Sequence, residues 1–416
     1  MTATLDAALA RIVQTPGAEL AGLAVAVTRG GETLYEGYWG RRRIHVDKPS
    51  QDLPVTPATR FRVASITKAV VALGVMRLAE QARLDLDADV SSYLGFTLRN
   101  PHFSAHAITA RMLLTHTASL RDGEFYAFRL PATLQDAFRP GSRYWEDGAH
   151  FVAPHDLLDL APGRYFTYCN LGYGVLGTLI ECISGERFDR YMARHVLEPL
   201  GLAATFDVRT LTAAGLKNLA TLYRKQCDGR WDPAGAWHAQ VDDYRGRRPQ
   251  AQPALADYVI GTNGTLFSPA GGLRASARDL VRIMQLLLAG ARGETTPILS
   301  AATIQTMFTD QWRYHAAARN GDPYGGLMRA WGLGLHHITA STADAGGAGD
   351  CILAGRDDLK LWGHLGDAYG LLGAMLLDPV RNLGLVYLIG GVGCDPETYK
   401  GEYSACLLYT SPSPRD

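Results

Sequence analysis

The chain has 416 residues, 47% of them hydrophobic, and its 41 basic residues balance 41 acidic ones. This length suffices for one large domain or two with a buried core, and no run of one charge indicates nucleic acid or an anionic membrane surface as a partner. No apolar run reaches the roughly 18 residues that a membrane-spanning helix needs, so we expect none.

The N-terminal stretch, residues 1–13, has the pattern of an amphipathic helix and lacks the basic start and continuous apolar core of a secretion signal. The six cysteines are scattered along the chain without a Cys-x-x-Cys pair. Such spacing favours reduced thiols over a disulfide framework. Together these features predict a cytoplasmic protein.

Two apolar, β-branched runs follow, residues 23–28 and 33–39, and the residues between them have hairpin spacing. After a polar loop, an apolar helical pattern runs from Ser65 to about Leu84. We therefore expect a β-hairpin followed by a buried helix.

Ser65 stands at the start of this helix, and Lys68 lies three residues further on the same face. A serine before a helix is most often only an N-cap, but a capping box has Glu or Gln where this chain has a lysine. Because the chain holds six lysines against 35 arginines, a lysine in an apolar turn indicates a need for an amine that can lose its proton. Burial and the helix dipole are expected to lower the pKa of Lys68, which suits it to accept the proton of a nucleophilic Ser65.

The middle of the chain, residues 86–260, combines short helical patterns with long loops, of which 121–166 is aromatic and 225–260 is polar. Loops of this length in a compact protein are functional or disordered, and we expect these two to form walls of a binding cleft. We predict a mostly helical insert over this part of the chain.

Past the insert, two helical patterns, 275–289 and 300–308, accompany a series of strands. The strand patterns are residues 330–338, 359–365, 371–377 and 384–389. With the N-terminal hairpin they predict an α+β fold, in which an antiparallel sheet of five strands or slightly more has helices on its faces. The sheet domain then comprises residues 1–85 and 261–405, and the helical insert residues 86–260.

Tyr168 and Asn170 precede a helical pattern over residues 171–183, and Tyr168 is the only tyrosine with Asn two positions on. The simplest interpretations are an N-cap for Asn170 and a half-buried ring for Tyr168. In a functional interpretation, the Tyr168 hydroxyl relays a proton between Ser65 and a leaving group. Asn170 then binds a substrate carbonyl or orients Lys68.

His364 and Gly366 occupy the end of a strand pattern, where we expect a glycine-bearing turn. A lone histidine is more often structural, yet glycine in a strand lets the backbone pass close to a ligand. The backbone N–H of Asp367 would then join that of Ser65 in an oxyanion hole.

Three motifs thus occur in order: Ser65-Ile66-Thr67-Lys68, Tyr168-Cys169-Asn170 and His364-Leu365-Gly366. With them the chain resembles the serine β-lactamase-like superfamily of class C β-lactamases, penicillin-binding proteins and family VIII carboxylesterases. Flanking segments that also resemble this superfamily are Leu113–Thr117, Pro162-Gly163, Asn170–Tyr173, Glu198–Gly201 and Gly271–Leu273. The resemblance covers residues 5–405.

The resemblance implies an acyl-enzyme mechanism on a small ester, amide or lactam, with no metal and no cofactor. Ser65 would attack the carbonyl, while Lys68 and Tyr168 would move the proton. Class C β-lactamases and penicillin-binding proteins usually carry Lys-Thr-Gly at the third motif, where the lysine helps to bind a substrate carboxylate. His364 removes that permanent cation, which favours a family VIII-like esterase, amidase or acyltransferase acting on a neutral substrate.

Other interpretations stay open: a class C β-lactamase, a D-alanyl peptidase or acyltransferase, and a non-catalytic binding or scaffold protein of the same fold. Gly172–Gly177 matches a dinucleotide-binding pattern but lies inside a predicted helix, so we expect no nucleotide there. Residues 406–416 match the translation of a transposase sequencing adapter. We expect them to be an assembly artefact, with the natural chain continuing past about Ala405.

Overall fold

The computed structural model describes residues 2–245, 247–250, 255–339, 350 and 358–396. The strands are β1 (Gly22–Arg29), β2 (Glu32–Arg43), β3 (Leu53–Pro54), β4 (Phe61–Arg62), β5 (Leu222–Cys227), β6 (Arg230–Trp231), β7 (Ala236–Val241), β8 (Arg274–Ala275), β9 (Trp312–Arg313), β10 (Ala330–Trp331), β11 (His336–Ile338), β12 (Leu361–Ala368), β13 (Leu371–Asp378), β14 (Leu383–Ile389) and β15 (Gly391–Val392). The α-helices are α1 (Thr2–Val13), α2 (Ile66–Glu80), α3 (Ser91–Leu94), α4 (Ala110–Leu114), α5 (Asn170–Ser184), α6 (Phe188–Met192), α7 (Ala213–Lys217), α8 (Ala277–Ala291) and α9 (Ala301–Met307).

Residues 406–416, the expected artefact, lie outside the described residues. Among the described residues, no helix has both the length and the hydropathy to cross a membrane.

One antiparallel sheet carries the fold, with the strand order β3-β2-β1-β14-β13-β12-β11-β10-β9. Its five long strands are the N-terminal hairpin, β1 and β2, and the C-terminal strands β12, β13 and β14. The two ends of the chain meet where β1 pairs with β14, from Leu23 opposite Ile389 to Arg29 opposite Leu383. The predicted α+β fold is confirmed.

The sheet separates two apolar layers. Ala24 and Ala26 of β1 belong to the layer that contains α2 and α8, whereas Leu23 and Val25 belong to the layer that contains Val13 of α1. Successive side chains of a strand point to opposite faces, so a strand covered on both faces is apolar along its length. The same reason explains why every residue of β13 is buried.

Helix α2 runs through the core between the sheet and α5. Every residue from Ile66 to Met76 is buried, including the polar Thr67 and Lys68. A helix that is covered on all sides needs apolar residues on all sides, which is why this segment shows little amphipathic pattern. The N-terminus of α2 therefore lies between the sheet and the helices of the insert.

Residues 222–241 differ from the predicted mostly helical insert. They form β5, β6 and β7, and β5 also pairs in parallel with β15. The partner of Tyr223 is Gly391, far away in the chain, and local sequence carries no signal for such a pairing. The division into residues 1–85 with 261–405 and residues 86–260 stays a prediction.

Two strand predictions need correction. Residues 330–338 form a tight hairpin of β10 and β11 rather than one strand, with Gly334 at a φ of 74° between them. The strand that carries His364 does not end there, because β12 continues to Ala368 and the turn follows at Tyr369.

Candidate active site

Ser65 lies where β4 leads into α2. The connection is strained, since the buried residue Ala64 takes a φ of 46°, in the left-handed region that non-glycine residues avoid. Ser65 already has helical backbone angles, and its side chain makes no capping hydrogen bond. Ser65 thus occupies the N-cap position of α2 without capping it through its side chain, and its hydroxyl has another partner.

That partner is Lys68. Its Nζ donates to Ser65 Oγ at 2.9 Å, to Asn170 Oδ1 at 2.7 Å and to the Ala270 carbonyl at 2.8 Å. The lysine is fully buried, so these protein acceptors determine where its amine lies. The amine and the hydroxyl are within the distance of direct proton transfer.

Tyr168 also contacts the nucleophile. Its side chain hydrogen-bonds with Ser65, the centroid of its ring lies 4.9 Å from Lys68 Nζ, and His116 stacks on it at 4.3 Å between ring centroids. Burial raises the pKa of the Tyr168 hydroxyl well above its usual value, and the hydrogen bond to Ser65 offsets this only in part. The phenol is therefore protonated at neutral pH.

Asn170 is the first residue of α5, and Cys169 is the N-cap, so the N-cap interpretation of Asn170 is wrong. The Asn170 amide oxygen accepts from Lys68, and its amide nitrogen donates to Asp122 Oδ2 at 2.8 Å. Asp122 also accepts from the backbone N–H groups of Asn170 and Leu171, at 3.1 and 2.8 Å. Asp122 thus stabilises the start of α5 and determines which way the Asn170 amide points.

Two residues of the site, Asp122 and His116, were not among those predicted from the sequence. His116 takes a φ of 56°, and its Nδ1 accepts from the Cys169 N–H at 3.1 Å. Burial, with a further effect of the Lys68 charge, lowers its pKa well below the usual value. His116 lies in Leu113–Thr117, a segment that resembles the superfamily, and this resemblance could have identified it as a site residue. Asp122 lies in a polar loop with no such pattern.

The third motif lies on β12, which passes the start of α2. A Cβ built on Gly366 would lie 2.7 Å from the Val63 carbonyl oxygen, so glycine is needed for this close approach. His364 is buried, and burial together with the Lys68 charge lowers its pKa well below the usual value, which keeps the ring neutral. Asp367 lines the same cavity as the nucleophile.

This cavity, of about 210 Å³, opens at Ser65. Residues 124–127 form part of its wall, as expected for the 121–166 loop. No described residue of 225–260 lines it. Tyr244 and Leu255 line a neighbouring cavity instead, which shares Arg62 and Ser268 with this one. Of the predicted site residues, Ser65, Asn170 and Asp367 line the cavity. The others, Lys68, Tyr168, His364 and Gly366, lie outside its lining.

A family model described as Beta-lactamase matches residues 9–403. The chain belongs to the Beta-lactamase family. The predicted resemblance to the serine β-lactamase-like superfamily is thereby confirmed.

Several known proteins are similar to this member of the family. Protein flp of Staphylococcus aureus (strain N315) is 26% identical over 184 residues, 44% of this chain and 34% of that protein, so the chain spans about a third of the length of this relative. Esterase EstB of Burkholderia gladioli is 26% identical over 341 residues, 79% of this chain and 78% of that protein. The structure of EstCE1, a hydrolase with promiscuous acyltransferase activity, has the same fold, with a TM-score of 0.65 at 23% identity over 98% of this chain and 97% of that chain.

Proposed function

We propose that this protein cleaves small esters or amides through an acyl-enzyme formed on Ser65. The observation that carries the proposal is the 2.9 Å contact between Lys68 Nζ and Ser65 Oγ, made by a fully buried amine. A serine hydroxyl is a weak nucleophile until a base removes its proton, and an amine held at this distance can serve as that base.

The proposed acylation begins with the contact between Lys68 and Ser65. Lys68 accepts the proton as Ser65 Oγ attacks the carbonyl carbon. The backbone N–H groups of Ser65 and Asp367 hold the carbonyl oxygen while it is negative. Tyr168, which the raised pKa keeps protonated, donates its proton to the leaving alcohol or amine, and the proton on Lys68 then restores it. Water attacks the acyl-enzyme with the same groups acting in reverse.

The third motif favours esters and amides over β-lactams. A neutral His364 does not provide the permanent cation that helps to bind a lactam carboxylate. The similarity to Esterase EstB supports the same preference, and a cavity of about 210 Å³ suits a small-molecule substrate. A class C β-lactamase and a D-alanyl peptidase or acyltransferase are the alternatives among enzymes. The cytoplasmic location stays a prediction.

The nucleophile is tested with a fluorophosphonate probe. We expect the probe to label the wild-type protein and not Ser65→Ala, because only an activated serine reacts. An absence of labelling in well-folded wild-type protein would favour a non-catalytic binding or scaffold protein. Turnover of p-nitrophenyl esters, a chromogenic cephalosporin and D-alanyl peptides then ranks the substrate classes, and a higher kcat/KM for the cephalosporin would overturn the esterase proposal.

The base is tested with Lys68→Arg, which keeps the positive charge but does not release a proton at neutral pH. We expect this variant to lose most of its acylation rate, about a hundredfold or more. Near-normal rates of p-nitrophenol release in the first turnover would exclude Lys68 as the base.

A further inference from the structure

Arg62 is a charged residue of the cavity that the proposed mechanism does not use. It lies on β4, three residues before Ser65, and lines the same cavity. Its Nε donates to the Gly271 carbonyl at 3.1 Å, and its guanidinium carbon lies 4.8 Å from the centroid of the Tyr369 ring. Gly271 and Tyr369 line the cavity too. The guanidinium group is therefore held against the cavity wall in a defined orientation.

Among the described residues, no carboxylate forms a direct ion pair with Arg62. Arg274, which lies opposite Arg62 in the pairing of β4 with β8, takes both oxygens of Asp242, at 3.0 and 2.8 Å. Asp242 is thus already paired with Arg274 and does not bind Arg62 directly. Burial lowers the pKa of Arg62, the Arg274 charge lowers it further, and Asp242 offsets this only in part. Keeping such a cation unpaired costs free energy.

Two other carboxylates, those of Glu124 and Asp367, line the cavity. Neither is a hydrogen-bonding or charge partner of Arg62. Among the described residues, only the Gly271 carbonyl accepts a hydrogen bond from Arg62, and the donor is Nε. Its two terminal nitrogen atoms thus keep their hydrogen-bonding capacity for a group that enters the cavity.

We propose that Arg62 binds a carboxylate of the substrate, so that the enzyme acts on esters or amides with a free carboxylate near the scissile carbonyl. This inference rests on the proposed acyl-enzyme function. A planar guanidinium matches a carboxylate through two parallel N–H···O hydrogen bonds. Arg62 and Ser65 are three residues apart, so their Cα atoms lie within about 11 Å of each other, and both line the same cavity. One small molecule in this cavity can therefore reach both residues.

The neutral His364 on β12 provides no cation for a substrate carboxylate. Arg62 on β4 provides one instead. The expectation of a neutral substrate depends on the third motif alone, and the cavity carries a positive group at another position. The aromatic side chains of Phe125 and Tyr126 also line the cavity. They can pack against the apolar part of a substrate that lies between its scissile carbonyl and its carboxylate.

The test compares substrates that differ by one charge. p-Nitrophenyl hydrogen adipate is paired with p-nitrophenyl hexanoate, and 3-carboxyphenyl butyrate with phenyl butyrate, so that the carboxylate lies on the acyl side in one pair and on the leaving group in the other. We expect wild-type protein to favour the charged member of at least one pair in kcat/KM. Arg62→Gln should lower this charged-to-neutral ratio about ten- to a hundredfold, mainly through KM, as for loss of a hydrogen bond to a charged group. Arg62→Lys should retain part of the preference.

Arg60→Gln is the matched control. Arg60 precedes the same strand but donates to the Ala203 carbonyl and does not line the cavity, so its variant should keep the wild-type ratio. Circular dichroism and thermal melting verify that each variant is folded. An equal ratio in folded Arg62→Gln and wild-type protein would overturn the role of Arg62.

Failure of the acyl-enzyme function can be distinguished from failure of the Arg62 anion site. If wild-type protein hydrolyses none of the four esters, the acyl-enzyme proposal fails, and Arg62 is tested by binding alone. Calorimetric titration of monomethyl adipate into Ser65→Ala and into Ser65→Ala with Arg62→Gln should show tighter binding when Arg62 is present. Equal binding in the two proteins would overturn the anion site.

Discussion

At the scale of single residues, Asp122, Asn170 and Lys68 form a chain of hydrogen bonds that ends at Ser65. Asp122 accepts from the amide nitrogen of Asn170, which directs the amide oxygen toward Lys68. Asp122 itself does not line the cavity. It is therefore a positioning residue, which acts on the proposed base through Asn170.

Replacing Asp122 tests this role. In Asp122→Asn an amide nitrogen faces the N–H donors of Asn170 or Leu171, so one acceptor is lost and the Asn170 amide is free to turn. We expect kcat on p-nitrophenyl esters to fall about tenfold or more, with a smaller change in KM, because the amine is misplaced. Loss of the acceptor at the start of α5 should also lower the free energy of unfolding by about 1 kcal/mol.

Asp279→Asn provides the control for the loss of stability. Asp279 belongs to the capping box of α8, where it accepts from the Ser276 N–H at 2.9 Å and from the Ala203 N–H at 2.9 Å. It should lose similar stability while kcat stays near wild type. Equal kcat in the two variants, measured on folded protein, would show that Asp122 has only a structural role.

At the scale of elements, the site depends on how closely β12 passes the start of α2. The contact is made at Gly366, where a Cβ would lie 2.7 Å from the Val63 carbonyl oxygen and 3.2 Å from Ile66 Cγ1. Val63 and Ile66 flank the strained residue Ala64 and the nucleophile. A shift of β12 therefore moves the backbone at Asp367 relative to Ser65.

Gly366→Ala tests this contact between elements. The added methyl group pushes β12 and α2 apart, which should cost about 1 to 3 kcal/mol of stability. Acylation by p-nitrophenyl esters should fall about tenfold or more because the two proposed oxyanion donors separate.

Gly384→Ala separates the loss of activity from the loss of stability. Gly384 lies on β14, and its added Cβ would contact Met284 of α8 instead. This variant should lose stability without a comparable loss of acylation. If both variants lose activity in proportion to their melting temperatures, the spacing of β12 and α2 has no special importance.

At the scale of the whole molecule, the fold encloses three histidines whose pKa values burial lowers: His116, His336 and His364. The pKa of His336 falls from 6.5 to about 4. Below pH 6.5 the unfolded chain binds protons on these rings that the folded protein does not bind. Stability therefore rises with pH in this range, and it falls as the solution is acidified from pH 6.5 toward pH 4.

His336→Gln measures this contribution. At pH 5 a pKa of about 4 implies that His336 costs about 2 kcal/mol relative to pH 7.5. We therefore expect urea unfolding at pH 7.5 and pH 5 to show a smaller loss of stability in His336→Gln than in wild-type protein. The exposed His238 offers the control variant His238→Gln, which should behave as wild type. A wild-type pH dependence in His336→Gln would exclude the effect.

Much of the fold was predictable because its signals are local. The apolar lengths of β1, β13 and β14 follow from burial of the sheet on both faces, so they are visible in the sequence. The pairing of β5 with β15 was not predictable, since it joins Tyr223 to Gly391. The hairpin at Gly334 was also missed, because two strands of two and three residues leave too short a pattern.

The sequence by itself determined the fold class, the family and the order of its three motifs, because these depend on patterns within a few residues of one another. Only the tertiary structure decided that the Ser65 hydroxyl meets an amine, that Asp122 orients Asn170, and that Asp242 pairs with Arg274 rather than with Arg62. Asp122 lies 48 residues from Asn170 in the chain. Hydrogen bonds and charge balance depend on distances in space, and the folding of distant segments against one another sets those distances.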